Sequence, residues 1–328
     1  MKHHIVAIGI SKHKNSNANL NYAEKDASDF FTLFKNNISD IGYNKLLVDS
    51  EATLSEIKTA LGKELIDQIN SEDAFFFYYS GHGATVEDPK DNKSALNYLV
   101  PFDATNDIAN SCISVEDIKS IFENLPSKAN IIFVDSCFSG AITKNSKNFP
   151  LPNKKEIKNI KSFSNTVVGN GSISITACKE DEISIEDPEY KNGLFTYYLL
   201  EELQKQRKDN DFSAIEIFGP IAQHVTERAK TNWSTTQTPT LLGKLEGDLK
   251  LPVFKTNPPL KPDTIEYQKN PELEKMNFTI PIIDLTSEEK DKLINQTINF
   301  VINNNIDISV GSVVFERMCH KLFHKTRA

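Results

Sequence analysis

Two short turns hold the residue types needed for nucleophilic attack on a carbonyl. Ser80-Gly-His-Gly83 carries His82, and Asp135-Ser-Cys-Phe-Ser-Gly140 carries Cys137. A thiol attacks as its thiolate, and a neighbouring imidazole takes the proton and later returns it to the leaving amine. The pair points to Cys-His catalysis of acyl transfer if the two turns are neighbours in space. The glycines flanking His82 let the backbone approach a substrate closely, and the amide N–H groups of Gly83 and Cys137 are candidates for an oxyanion hole. One such donor is worth ~3–4 kcal/mol of barrier. An arbitrary Cys is more often a small buried hydrophobe. What sets this pair apart is its place at the ends of apolar strands, inside turns that carry glycine.

The surrounding pattern supplies those strands. Ile5-Val-Ala-Ile-Gly-Ile10 reads as a buried strand running into an Asn-rich loop, followed by Ala23, Ala27, Phe30 and Phe34 at helical spacing. A weak strand at Lys45 to Val48 precedes a helix opened by the capping box Thr53-Leu-Ser-Glu56, with Leu54, Ile57, Leu61 and Leu65 on one face. Ala74-Phe-Phe-Phe-Tyr-Tyr79 and Asn130-Ile-Ile-Phe-Val134 are apolar on both faces, as in a parallel sheet covered by helices on both sides. Between them a helix from Ser114 to Leu125 aligns Val115, Ile118 and Phe122. Alternating strand and helix predict an α/β fold with a mainly parallel sheet, where reactive groups gather beyond the carboxyl ends of the strands. His82 and Cys137 both fall there.

The 328 residues are 39% hydrophobic and carry a formal charge of −8, which excludes disordered and fibrous classes and a broad nucleic-acid-binding face. Cys112, Cys137, Cys178 and Cys319 form no CxxC pair, so no zinc ribbon or disulfide framework is expected, and a reducing cytoplasm fits best. Cys178 follows a strand and could line a cleft, whereas Cys112 and Cys319 read as structural. No secretory signal or stretch of ~18 apolar residues is present, so no membrane association is expected. Residues 141–171 read as an exposed, mobile segment, with Lys144, Lys147, Lys154, Lys155, Lys158 and Lys161 among Asn, Ser and Pro. Beyond it come a strand from Ser172 to Ala177, helices from Leu194 to about Gln204 and from Ser213 to Lys230, and a last strand near Thr240 to Leu242. Pro258, Pro259, Pro262 and Pro271 mark a connector. The predicted organisation is a catalytic unit over 1–254, a linker over 255–275 and a small, partly helical extension over 276–328. Chains below ~70 residues rarely build a sufficient core alone, so the extension is read as regulatory or partner-binding.

Phe77-Tyr-Tyr-Ser-Gly-His-Gly83, followed 55 positions after its His by Asp135-Ser-Cys-Phe-Ser-Gly140, resembles the caspase-like cysteine peptidases, most closely the metacaspases and their bacterial relatives. A His-to-Cys spacing of ~50 residues belongs to the caspase signature. The resemblance runs from about Ile5 to Leu242 and includes Leu96-Asn-Tyr-Leu-Val-Pro-Phe-Asp103. It implies a caspase-like α/β/α sandwich, a His82–Cys137 dyad and an oxyanion hole at Gly83. True caspases carry Gln-Ala-Cys and a basic pocket, whereas this chain has Asp135 two residues before its Cys. In metacaspases that acid and a second one in the first helix, matched here by Asp26, receive a substrate Lys or Arg. Two carboxylates at the base of a partly desolvated pocket favour a cation on physical grounds as well.

The expectation is a cytoplasmic cysteine endopeptidase acting on protein substrates after Lys or Arg. Self-cleavage in the Lys-rich segment follows from the same pocket argument. No cofactor is called for. Calcium, which some metacaspases need, would have Glu87, Asp88 and Asp91, or Asp181, Glu182, Glu186 and Asp187, as oxygen ligands, but neither group has an EF-hand register, and solvated acidic loops are the preferred reading. Few Arg and abundant Asn, Ile and Lys suggest a prokaryotic source, where such relatives serve in antiviral defence or regulated cell death. The alternative is a regulated interaction module acting through partner binding after Phe254. The group that orients His82 is not identified by the sequence.

Overall fold

The structure is a computed structural model, described over residues 1–38, 40–88, 91–137, 159–160, 172–179, 182–205, 212–244 and 250–251. Its centre is a six-stranded sheet built from β1 (His3–Gly9), β2 (Ile41–Val48), β3 (Ala74–Ser80), β7 (Ala129–Asp135), β9 (Ser172–Thr176) and β13 (Thr240–Lys244). The spatial order is β2-β1-β3-β7-β9-β13. All pairings are parallel except that of β13, which runs antiparallel to β9. The mainly parallel sheet expected from the alternation is present.

The apolar runs of β1, β3 and β7 follow from the two layers they separate. On one face Ile5, Ala7, Phe76, Tyr78, Ile131 and Phe133 pack against α1 (Ala23–Asn37), α5 (Leu194–Gln204) and α6 (Ala214–Trp233) through Phe30, Phe34, Leu199 and Ile217. On the other, Val6, Ile8, Phe75, Phe77, Ile132 and Val134 meet α2 (Leu54–Thr59) and α4 (Val115–Asn124) through Ile57, Leu61, Ile118 and Phe122. Successive strand side chains point to opposite faces, so a doubly covered strand buries both sets, and the polar residues it keeps, such as Asn130 and Ser174, are buried with them. The result is an α/β/α sandwich. Each fully buried Phe or Ile contributes on the order of 1.5–3 kcal/mol from burial.

Local signals behave as their chemistry demands. Thr53 Oγ1 accepts from Glu56 N at 3.3 Å to start α2, and Ser114 Oγ accepts from Asp117 N at 3.0 Å to start α4. The first of these helices runs on through a π-helical turn, Ala60–Glu64. β2 is longer than the weak strand read at Lys45 to Val48. It begins at Ile41, and as an edge strand only Tyr43 and Leu47 are buried, which leaves little apolar signal to read.

Beside the main sheet, β4 (Gly83–Asp88) and β5 (Asp91–Leu99) form an antiparallel hairpin, joined after α3 (Ile108–Ser111) by β6 (Ile113–Ser114). Within the Lys-rich segment, β8 (Asn159–Ile160) pairs in parallel with Ser94 and Ala95 of β5. The lysines of that segment, the linker, the extension with Cys319, and Asp181 lie outside the described residues. Short pairs β10 (Glu186–Asp187) with β11 (Asn192–Gly193), and β12 (Phe212–Ser213) with β14 (Lys250–Leu251), complete the elements. No helix among the described residues is long and apolar enough to cross a membrane.

Candidate active site

β3 and β7 are adjacent, and their register pairs Ser80 with Asp135. His82 and Cys137 therefore each lie two residues beyond a matched pair, at the carboxyl edge of neighbouring strands, which is the juxtaposition that Cys-His chemistry requires. Both line one cleft of about 220 Å³, together with Leu20, Asp26, Ser80, Asp135 and Gly193.

The turn carrying His82 is held from below. Tyr79 Oη donates to the His82 carbonyl at 2.6 Å, and Val100 N donates to the same carbonyl at 3.1 Å and to the Tyr79 hydroxyl at 3.2 Å. Gly81 has φ +158°, and a Cβ there would sit 2.8 Å from Tyr79 Oη, so the turn passes where only glycine fits. The imidazole itself is fixed by a backbone group. His82 Nε2 lies 2.8 Å from the Ala18 carbonyl, which can only accept, so Nε2 carries the proton and Nδ1 keeps its lone pair. Desolvation lowers the His82 pKa to about 4 against the favourable pull of that carbonyl.

Two carboxylates converge in the same cleft. Asp26 of α1 accepts from Gly193 N at 2.9 Å and Asn192 Nδ2 at 2.9 Å, and from Ser80 Oγ at 3.0 Å. Asp135 accepts from Thr196 N at 3.2 Å, from Thr196 Oγ1 at 2.6 Å and from Ser184 Oγ. A Cβ on Gly193 would lie 2.3 Å from Asp135 Oδ2 and 2.9 Å from Asp26 Oδ2. Burial raises both pKa values, and for Asp26 the charge of Asp135 is the next cause. The empty pair retains a proton more readily than ordinary carboxyls, and a cation placed between them would displace it.

Residues 2–250 match the family model of the caspase domain. The chain belongs to the caspase-domain peptidases. It therefore carries a cysteine-peptidase domain of the hydrolase class. A probable protease of a Desulfuromonadales bacterium is 34% identical over 65 residues, which span 20% of this chain and 8% of that protein's length. A crystal structure of a Geobacter sulfurreducens protein superposes with a TM-score of 0.56 at 18% identity, covering 78% of this chain and 99% of that one, and shares the fold.

Around this caspase-domain site several contributors come from residues whose sequence context gives no sign of them. Gly193, Asn192 and Thr196 open α5, more than 160 positions after Asp26, and no local pattern ties them to it. Glu186 takes the backbone N–H groups of Asn21 (2.9 Å) and Tyr22 (2.6 Å), clamping the wall that contains Ser184 to the start of α1. Glu182 binds Thr238, and Asp187 binds Arg228, so these acids face separate partners and are not gathered around one point. The side chains of Glu87, Asp88 and Asp91 lie outside the described residues. Gly83 opens β4 opposite Leu99. Because Val100 N bonds the His82 carbonyl, this is a non-hydrogen-bonded pair, which turns the Gly83 N–H away from β5. Cys112 and Cys178 are buried, and Cys178 Sγ lies 3.6 Å from the Ser136 carbonyl, beside the turn that carries Cys137.

Proposed function

We propose that the protein is a cysteine endopeptidase that cleaves protein chains after Lys or Arg through a His82–Cys137 dyad. The observation that carries this reading is the convergence of Asp26 and Asp135 over Gly193 in the cleft that also holds His82 and Cys137. A long basic side chain entering between the carboxylates supplies the positive charge that a retained proton otherwise supplies, and the scissile carbonyl is thereby presented at Cys137. His82 Nδ1 takes the thiol proton while the Ala18 carbonyl holds the opposite nitrogen. Sulfur adds to the carbonyl carbon, and the oxyanion is received by the N–H groups of Gly83 and Cys137. Collapse breaks the C–N bond, with the proton passing from His82 to the departing amine. Water, deprotonated by the same Nδ1, then releases the acid product and restores the thiol.

Lys144 through Lys161 supply basic residues for self-cleavage, and the region after Phe254 is assigned to contact with a regulatory partner. A role in prokaryotic antiviral defence or regulated cell death, in the cytoplasm, fits a peptidase of this kind and rests on the family analogy.

The test is a panel of fluorogenic peptides with Lys, Arg or Asp before the scissile bond, applied to wild type and Cys137→Ala, with and without calcium. Cleavage after Lys and Arg that vanishes in Cys137→Ala is the expected result. Asp-directed cleavage would remove the acidic-pocket argument and leave the dyad. Absence of all cleavage under every condition would favour a binding module instead.

A further inference from the structure

The loop between β1 and α1 does more than supply the Ala18 carbonyl. His13, on the same loop, is 6% exposed, and its ring centroid lies 5.4 Å from that of His82 with the planes tilted by 33°. Neither ring nitrogen of His13 makes a hydrogen bond of ordinary geometry to a described residue, although the Pro101 carbonyl lies close enough to favour its charged form. The loop is tied down so that the two groups facing His82 keep their places. Ile10 N bonds the Ser80 carbonyl at 3.0 Å, and Ser11 N and Lys12 N both bond Asp49 Oδ1 at 2.8 Å. His13 N bonds Asn19 Oδ1 at 2.9 Å, and Lys14 N bonds the Phe102 carbonyl at 2.9 Å.

The geometry points to His13 as a positioning residue that packs an uncharged imidazole against the His82 ring, holding it on the Ala18 carbonyl and keeping it unprotonated between turnovers. This rests on the reading of His82 as the base. Two imidazoles this close in a desolvated site cannot both carry charge, so protonation of either is opposed by the other. His13 itself is held neutral, its pKa lowered to about 4 by burial first and by His82 second, against the Pro101 carbonyl. The other titratable groups near His82 are Tyr79 beneath its turn and Cys137 across the cleft, with Asp26, Asp135 and Glu186 lining the same cleft. Lys12 and Lys14 flank His13 but are exposed. A neutral His82 keeps the Nδ1 lone pair that the proposed proton transfer needs.

The test needs no substrate. Carbamidomethylation of the Cys137 peptide by iodoacetamide is followed in the full chain by mass spectrometry from pH 4 to 9, where the acid limb reports loss of the first proton from the Cys-His pair. Wild type is expected to show that limb below pH 5. His13→Ala admits water, and its limb should move up by about a unit or more, toward the ordinary histidine value near 6.5. His13→Phe keeps a ring over His82 and should hold the limb near the wild-type position. A limb in His13→Ala that coincides with wild type, or one in His13→Phe that moves as far as in His13→Ala, would overturn the assignment. Should His13→Ala fail to fold by circular dichroism, His13→Gln, which also lacks a ring, carries the same expectation. His82→Ala must abolish the wild-type limb. If it does not, the dyad reading fails first, and that outcome is distinct from a failure confined to the His13 variants.

Discussion

Asp26 and Asp135 direct a carboxylate oxygen each to one point above the α carbon of Gly193, at 2.9 Å and 2.3 Å from where a Cβ would stand. Neither acid is near the other in the chain, and the residue between them belongs to a third element. Gly193→Ala should therefore fill the pocket floor. Overpacking of this kind costs ~1–3 kcal/mol, and a methyl placed between the carboxylates also occupies the space proposed for the substrate cation. Cleavage of Lys and Arg peptides is expected to fall by about 100-fold or more, ~2.7 kcal/mol in kcat/KM, while alkylation of Cys137 stays near the wild-type rate. Loss of both together would mean that the substitution has unmade the cleft, and unimpaired peptide cleavage would place the substrate side chain elsewhere.

Replacing a charge while keeping shape separates recognition from stability. Asp26→Asn retains an oxygen for Asn192 and Gly193 and turns an amide toward Ser80 Oγ. With one charge gone, kcat/KM for basic substrates should drop by about 10- to 100-fold, the ~1.5–3 kcal/mol associated with hydrogen bonds to a charged group. Stability should change in the opposite sense. Burial raises the carboxyl pKa in the folded protein, so its contribution is fully present below the unfolded value near 3.9 and is lost as pH rises through the raised value. The melting temperature of Asp26→Asn should therefore exceed that of wild type at pH 8 and converge with it toward pH 4. A gap that widens on acidification would contradict the raised pKa.

Those two acids could be named in advance, but the floor between them could not, and the reason is physical. Continuous apolar strands such as Ala74–Tyr79, the caps Thr53 and Ser114, and the glycine-bearing turns after β3 and β7 are local patterns set by burial and backbone geometry. Gly193, Thr196 and Ser184 act through tertiary proximity, and a glycine at the start of a helix looks the same whether or not two carboxylates face it. The group that orients His82 is a main-chain carbonyl, at Ala18, and every residue in the chain offers one. β2 was legible only over its second half because an edge strand exposes the positions that an inner strand would make apolar.

Tyr79→Phe probes the support beneath His82. The hydroxyl is buried, donates to the His82 carbonyl and accepts from Val100 N, so deleting it removes one bond from each of these backbone groups and leaves only the bond between them. A cost of ~0.5–1.5 kcal/mol is expected, seen as a lower melting temperature or denaturant midpoint. Because the loosened group is the turn that carries His82, the proposed base, and not the acidic pocket, kcat should fall while KM for a Lys peptide changes little. A rise in KM at constant kcat would indicate that the hydroxyl serves binding instead.

Cys137→Ala separates the chemistry from the fold. The residue lies at the surface of the cleft and is only partly buried, so truncation removes the proposed nucleophile with little lost packing, and the melting temperature should stay within about 2 °C of wild type, no more than ~1 kcal/mol for a domain of this size. Peptide cleavage should disappear. The same variant decides the proposed self-cleavage: wild-type protein incubated at high concentration should yield fragments ending at lysines between 144 and 161, by intact-mass measurement, and Cys137→Ala should remain whole. Adding a trace of active wild type to Cys137→Ala distinguishes the route, because fragments that then appear arise between molecules, whereas a chain that stays whole while wild type fragments cuts within itself. An intact wild-type chain that still cleaves Lys peptides would show that the site works uncut, as the hydrogen bonds from Ser184, Gly193 and Thr196 to the two carboxylates already allow.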